Sequence, residues 1–180
     1  MSLLLRSLAM ARDAPPKERF VKLMAVHGQA LSRVARAHAD SPAETADLAQ
    51  EIAVALWRAL PSLRGDCSER TFVFRLAHNR GITHCEARRV QEQTTALVEP
   101  PEAAADLRPG ADQALDAARR REALWGAIAG LPVGARSVLT LALEGMSHVE
   151  IAEALGTSPN SVAVRMSRAR AQLRALLEES

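Results

Sequence analysis

The chain has 180 residues and a formal net charge of +2, with 48% apolar and only 3% aromatic residues and no tyrosine. That length allows one domain or two small ones, and a core so poor in aromatics must be built from Leu, Ala, Val and Ile, which suits packed helices. The charge balance excludes a uniform polycation. The opening MSLLLRSLAMAR is too short and interrupted for a membrane span and lacks a signal-peptide layout.

Two cysteines, Cys67 and Cys85, stand far apart and form no CxxC pair. They give no disulfide framework and fit a reducing compartment. A soluble, cytoplasmic, all-α protein is the expectation, because no stretch alternates β-branched and polar residues.

Residues 16–90 read as several helices. In DSPAETADLAQEIAVALWRAL, Asp40 and Ser41 are candidate caps and Pro42 opens a helix. Leu48, Ile52, Ala55, Leu56 and Ala59 recur at helical spacing, and Pro61 ends the run. A loop with Gly65 leads into RTFVFRLAHNRGITHCEARR, where Phe72, Leu76, Asn79 and Thr83 fall near one another by spacing. Residues 57–89 hold seven arginines against three acids.

Residues 91–112 contain Pro100, Pro101, Pro109 and Gly110 and lack periodicity. From 90 to 118 there is one arginine, Arg108, against six acids. This segment is expected to be a flexible acidic linker. Residues 113–178 are helical again, so the chain reads as two small helical domains.

The most informative stretch is EIAEALGTSPNSVAVRMSRARAQL. Ser147 and Glu150 form an S-x-x-E capping box. Gly156 stands where a left-handed residue would end the first helix. Ser158 and Pro159 suit the cap and first position of a second helix. Val162, Met166, Ala169 and Leu173 form the buried stripe of that second helix, and Asn160, Ser161, Val164, Arg165 and Arg168 face away from it. A helix-turn-helix that sets its second helix in the major groove needs this combination, and guanidinium, amide and hydroxyl groups can meet base edges or phosphates. An ordinary helical hairpin with a basic, solvated face has the same pattern.

The whole chain favours the first alternative. LPVGARSVLTLALEGMSHVEIAEALGTSPNSVAVRMSRARAQL resembles the C-terminal promoter-reading domain of bacterial sigma factors. AETADLAQEIAVALWRALPSLRG and RTFVFRLAHNRGITH resemble their other conserved domain. Both domains in this order, with an acidic linker between, are similar to the small extracytoplasmic-function sigma factors over about residues 20–178.

The resemblance implies a protein that binds core RNA polymerase, recognises promoter DNA and answers to an anti-sigma factor. It implies that residues 16–90 bind polymerase and the minus-ten element, and that 113–178 bind the minus-thirty-five element. Polymerase docking would fall to Asp47, Leu48, Gln50 and Glu51. Minus-ten DNA would meet Leu63, Arg64, Ser68, Phe72, Phe74, Arg75, Asn79 and Arg80. Minus-thirty-five DNA would meet Asn160, Ser161, Val164, Arg165 and Arg168. The family pattern has Trp and Leu where this chain has Phe72 and Val73, and often a basic residue where it has Ala163.

A stand-alone helix-turn-helix regulator using only the second domain, and a module that titrates an anti-sigma partner, are the competing readings. The spacing of His78, His84, Cys67 and Cys85 matches no paired zinc-ligand pattern. No Ser/His/Asp, paired-carboxylate or phosphate-loop arrangement is present. Neither a metal, a cofactor nor an enzyme activity is expected.

Overall fold

The computed structural model describes residues 15–63, 66–95 and 113–178, and no strand occurs among them. Its helices are α1 (Pro16–His38), α2 (Pro42–Ala59), α3 (Glu69–Thr95), α4 (Gln113–Ala129), α5 (Val133–Leu143), α6 (His148–Leu155) and α7 (Pro159–Glu178), with a 3₁₀ turn at Leu60–Ser62.

Local chemistry sets most of the boundaries. Pro16 and Pro42 open their helices, where a missing N–H costs nothing. Ser41 caps α2 by accepting from the Glu44 N–H at 3.1 Å, and the Glu44 carboxylate reaches back to the Asp40 N–H at 2.9 Å. Ser68 accepts from the Thr71 N–H at 3.0 Å as α3 begins. α3 runs to Thr95, five residues into the expected linker. There Arg88 pairs with Glu92 at 3.5 Å one turn on, and the Thr94 hydroxyl returns to the Val90 carbonyl at 2.9 Å. The rest of the expected linker, 96–112, lies outside the described residues.

The first domain packs α1, α2 and α3 on one another, and the second packs α5, α6 and α7, with α4 against α7. Leu31, Val34, Leu48, Ile52, Leu56, Val73 and Phe74 fill the first core. Ile128, Leu131, Val138, Leu141, Ile151, Val162 and Met166 fill the second. Burial of each such large chain contributes about 1.5–3 kcal/mol.

The two cores are continuous. α1 lies against α4 and α5, and α3 against α5 and α6. Within the first domain, Gly81 lets α3 approach α1, since a Cβ there would stand 2.7 Å from Cγ of the buried His38. Arg136 of α5 is also buried. It donates to the Leu131 carbonyl at 3.0 Å and to that of Ala129, and its other Nη lies 3.8 Å from Cys85 Sγ on α3. Carbonyls just at and beyond the end of α4 thereby compensate the buried cation.

Candidate nucleic-acid interface

The outward face of α2 carries Asp47, Gln50 and Glu51, all exposed, as the sequence suggested. Leu48 differs. It was expected to offer an apolar contact, but it is 0% exposed in the first core. At 100° per residue it shares the inward stripe with Ile52, Ala55 and Leu56, so it has no surface to give. The exposed apolar side chains that continue this face are Val54 and Trp57, and Phe20 of α1 meets the Trp57 ring edge-on at 5.4 Å.

On α3 the structure brings Phe72, Arg75, Asn79 and Arg80 together. With Leu76 and Thr83, and with Ala55 and Arg58 from α2, they line an open groove of about 560 Å³. Phe72 is half-buried on its wall.

Phe74, expected to offer flat surface to DNA, is not in this groove. It is 1% exposed, and His27 packs edge-on against it at 5.9 Å. Two residues apart on a helix means about 200° apart in direction, so Phe72 and Phe74 cannot share a face. Val73 is likewise core. Ser68 is exposed, but its hydroxyl is engaged locally with Thr71 Oγ1 at 2.8 Å. Leu63 is half-buried beside the 3₁₀ turn, and Arg64 lies outside the described residues.

Sequence reasoning missed Arg58. It stands seven residues after Glu51 on the outward face of α2, and a groove along that face continues through Asp47, Gln50, Val54, Arg58 and Arg80. Arg58 and Arg80 therefore belong to both grooves, and the acidic stripe and the basic groove adjoin.

The second candidate surface is built as the sequence suggested. Ser147 and Glu150 form a reciprocal capping box for α6, and these bonds hold the Glu150 carboxyl below its usual range. Gly156 has φ +63°. Ser158 accepts from the Ser161 N–H at 3.2 Å. On α7, Val162, Met166 and Ala169 are buried, while Asn160, Val164, Arg165 and Arg168 are exposed and Ser161 is half-buried. Ala163, the position without a basic side chain, is half-buried.

Residues 23–90 match the family described as sigma-70 region 2, and residues 121–173 match sigma-70, region 4. The RNA polymerase sigma factor CnrH of Cupriavidus metallidurans is 32% identical over 179 residues, covering 96% of this chain and 94% of the relative. The ECF RNA polymerase sigma factor ShbA of Streptomyces griseus is 33% identical over 154 residues, covering 82% and 79%. The chain belongs to the extracytoplasmic-function sigma factors. The solved structure of CnrH in complex with the cytosolic domain of CnrY superposes on this sigma factor with a TM-score of 0.66, covering 96% of this chain and 95% of that one. The family pair of regions thus spans both surfaces, the α2–α3 grooves in region 2 and α6–α7 in region 4. Among the described residues, no helix of this sigma factor is long and apolar enough to cross a membrane, and no group of three or more His, Cys, Asp or Glu side chains could hold a metal ion.

Proposed function

We propose that the chain works in the cytoplasm as the promoter-specificity subunit of RNA polymerase, with the acidic face of α2 as its docking surface, the α2–α3 groove as its minus-ten site and the α7 face as its minus-thirty-five site. Polymerase performs the chemistry, and this chain supplies no catalytic group. The observation that carries the reading is the adjacency of the first two surfaces. A helix face bearing Asp47, Gln50 and Glu51 runs directly into a groove with Phe72, Asn79 and three arginines, so one domain can sit on polymerase and hold single-stranded DNA beside it. Basic and stacking groups side by side are what single-stranded DNA requires. An anti-sigma partner is part of the proposal, supported by the likeness to CnrH, whose structure includes the cytosolic domain of CnrY.

On α7, Arg165 lies one turn after Ser161 and is assigned to base edges. Arg168 is a turn further and is assigned to phosphate. The two should fail differently. Arg165→Ala should cost roughly 1–3 kcal/mol on the preferred duplex and relax discrimination at one position. Arg168→Ala should weaken all sequences alike and lower the salt slope by about 1. Gel shifts on matched and mismatched promoter duplexes, with and without core polymerase, check this. Tight specific binding by the free chain would favour the stand-alone regulator, and unchanged binding by both variants would take α7 out of the groove.

A further inference from the structure

Most polar contacts between the two domains put a cation on the first and an acid or carbonyl on the second, with Arg136 beside Cys85 the reverse case. Arg33 of α1 grips Glu144 at the α5–α6 corner with two bonds, Nε to Oε1 at 2.6 Å and Nη2 to Oε2 at 2.7 Å. The Glu144 side chain is only 8% exposed. Arg70 of α3 donates to the Glu144 carbonyl and lies 3.8 Å from the Glu150 carboxylate. Arg75 donates to the Glu153 carbonyl on α6 at 2.9 Å, and the Thr71 hydroxyl faces the Glu153 carboxylate at 3.5 Å. One turn further along α1, Arg36 pairs with Glu122 and stacks 5.5 Å over Trp125 of α4.

The span of a promoter makes this closure consequential. Elements centred about 25 base pairs apart are separated by about 85 Å of B-form duplex. Here α6 lies within hydrogen-bond distance of Arg75, a wall residue of the minus-ten groove. The closed chain cannot occupy both elements.

We propose that the Glu144 corner is an intramolecular latch. It satisfies Arg33 and Arg70 as a DNA phosphate would, ties Arg75 to α6, and holds the chain shut with no partner bound. The bond is two-pronged and its carboxylate is shielded although the Arg33 side chain stays 44% exposed, and it is this bidentate geometry that lifts such a contact above an ordinary surface ion pair. The masking of DNA binding rests on the assignment of Arg75 to the minus-ten groove, whereas the latch itself does not.

The test uses the full chain and two variants, Glu144→Gln and the reversed pair Arg33→Glu/Glu144→Arg, read by X-ray scattering and by anisotropy of a single-stranded minus-ten oligonucleotide. A compact chain of this length has a radius of gyration of about 16 Å. Glu144→Gln should raise the wild-type radius by about a fifth or more at unchanged helicity, and the reversed pair should bring it back. Raising salt should open the wild type in the same way. Oligonucleotide affinity should rise roughly tenfold on opening, the scale of typical coupling between sites. An unchanged radius in Glu144→Gln overturns the latch. So does expansion that the reversed pair fails to correct while helicity is retained. Expansion that the reversed pair corrects, with oligonucleotide affinity unchanged, upholds the latch and removes Arg75 from the DNA groove.

Discussion

Replacing Phe74 with alanine is expected to cost about 3–5 kcal/mol of stability, the range for deleting a fully buried aromatic ring. The ring is 1% exposed and shares the first core with Leu31, Ile52 and Leu56, so its loss leaves a cavity that those helices can close only in part. Phe72→Ala should behave differently. Phe72 is half-buried at the groove wall, so its removal should cost clearly less stability. Its removal should instead weaken binding of a single-stranded minus-ten oligonucleotide by roughly 1–3 kcal/mol if a base stacks there. Urea midpoints and oligonucleotide titrations of the two variants separate the roles. A Phe74→Ala chain of unchanged stability with weakened DNA binding would reverse the assignment.

Acidification from pH 7 to pH 5 should remove about 2 kcal/mol of stability for each of His38 and His78, from 1.36 kcal/mol per pKa unit. Burial lowers both to about 4. His38 packs between Arg136, His84 and Ser137 Oγ, which is 3.4 Å from its Nε2. His78 feels His38 and the Arg165 cation. Both imidazoles are therefore neutral when folded, and unfolding returns each to 6.5. Between those values the unfolded chain holds more protons, so stability is full above 6.5, falls as pH drops, and levels off below about 4. Burial lowers His27 as well, so it adds to the loss in the same direction. Urea unfolding at both pH values checks it, with His38→Gln/His78→Gln expected to flatten the dependence. A native chain equally stable at pH 7 and 5 would contradict it.

What was legible in the sequence is what local chemistry decides. The Ser147–Glu150 box, the left-handed Gly156, the Ser158 cap and the Pro42 start are each written in four or five consecutive residues, and the structure forms them as read. Face assignment was less legible on α2 and α3, because these helices are packed on more than one side. Leu48 lies between Asp47 and Gln50, and Phe74 two residues from Phe72. The spacing of Leu48 with Ile52, Ala55 and Leu56 already turns it inward, whereas for Phe72 and Phe74 only the packing of α1 on α3 shows which ring is core. The union of Arg58 with Arg80 needs two helices to meet, and the Arg33–Glu144 pair joins residues 111 positions apart. No sequence period encodes either. Phe72 in place of the family's Trp narrows the stacking surface, and Arg58 lies within the same groove.

Run-off transcription with purified core polymerase tests the central claim most directly. Polymerase supplied with this chain should initiate from a defined subset of genomic fragments on which core polymerase alone is silent. The variant Asp47→Ala/Gln50→Ala, which touches only exposed positions of α2, should keep its helical content yet lose most of that activity together with its hold on polymerase in pull-down. Transcription from the same fragments with and without the chain, or full activity and full polymerase binding by the double variant, would contradict the account: the first result its function, the second the surface assigned to it.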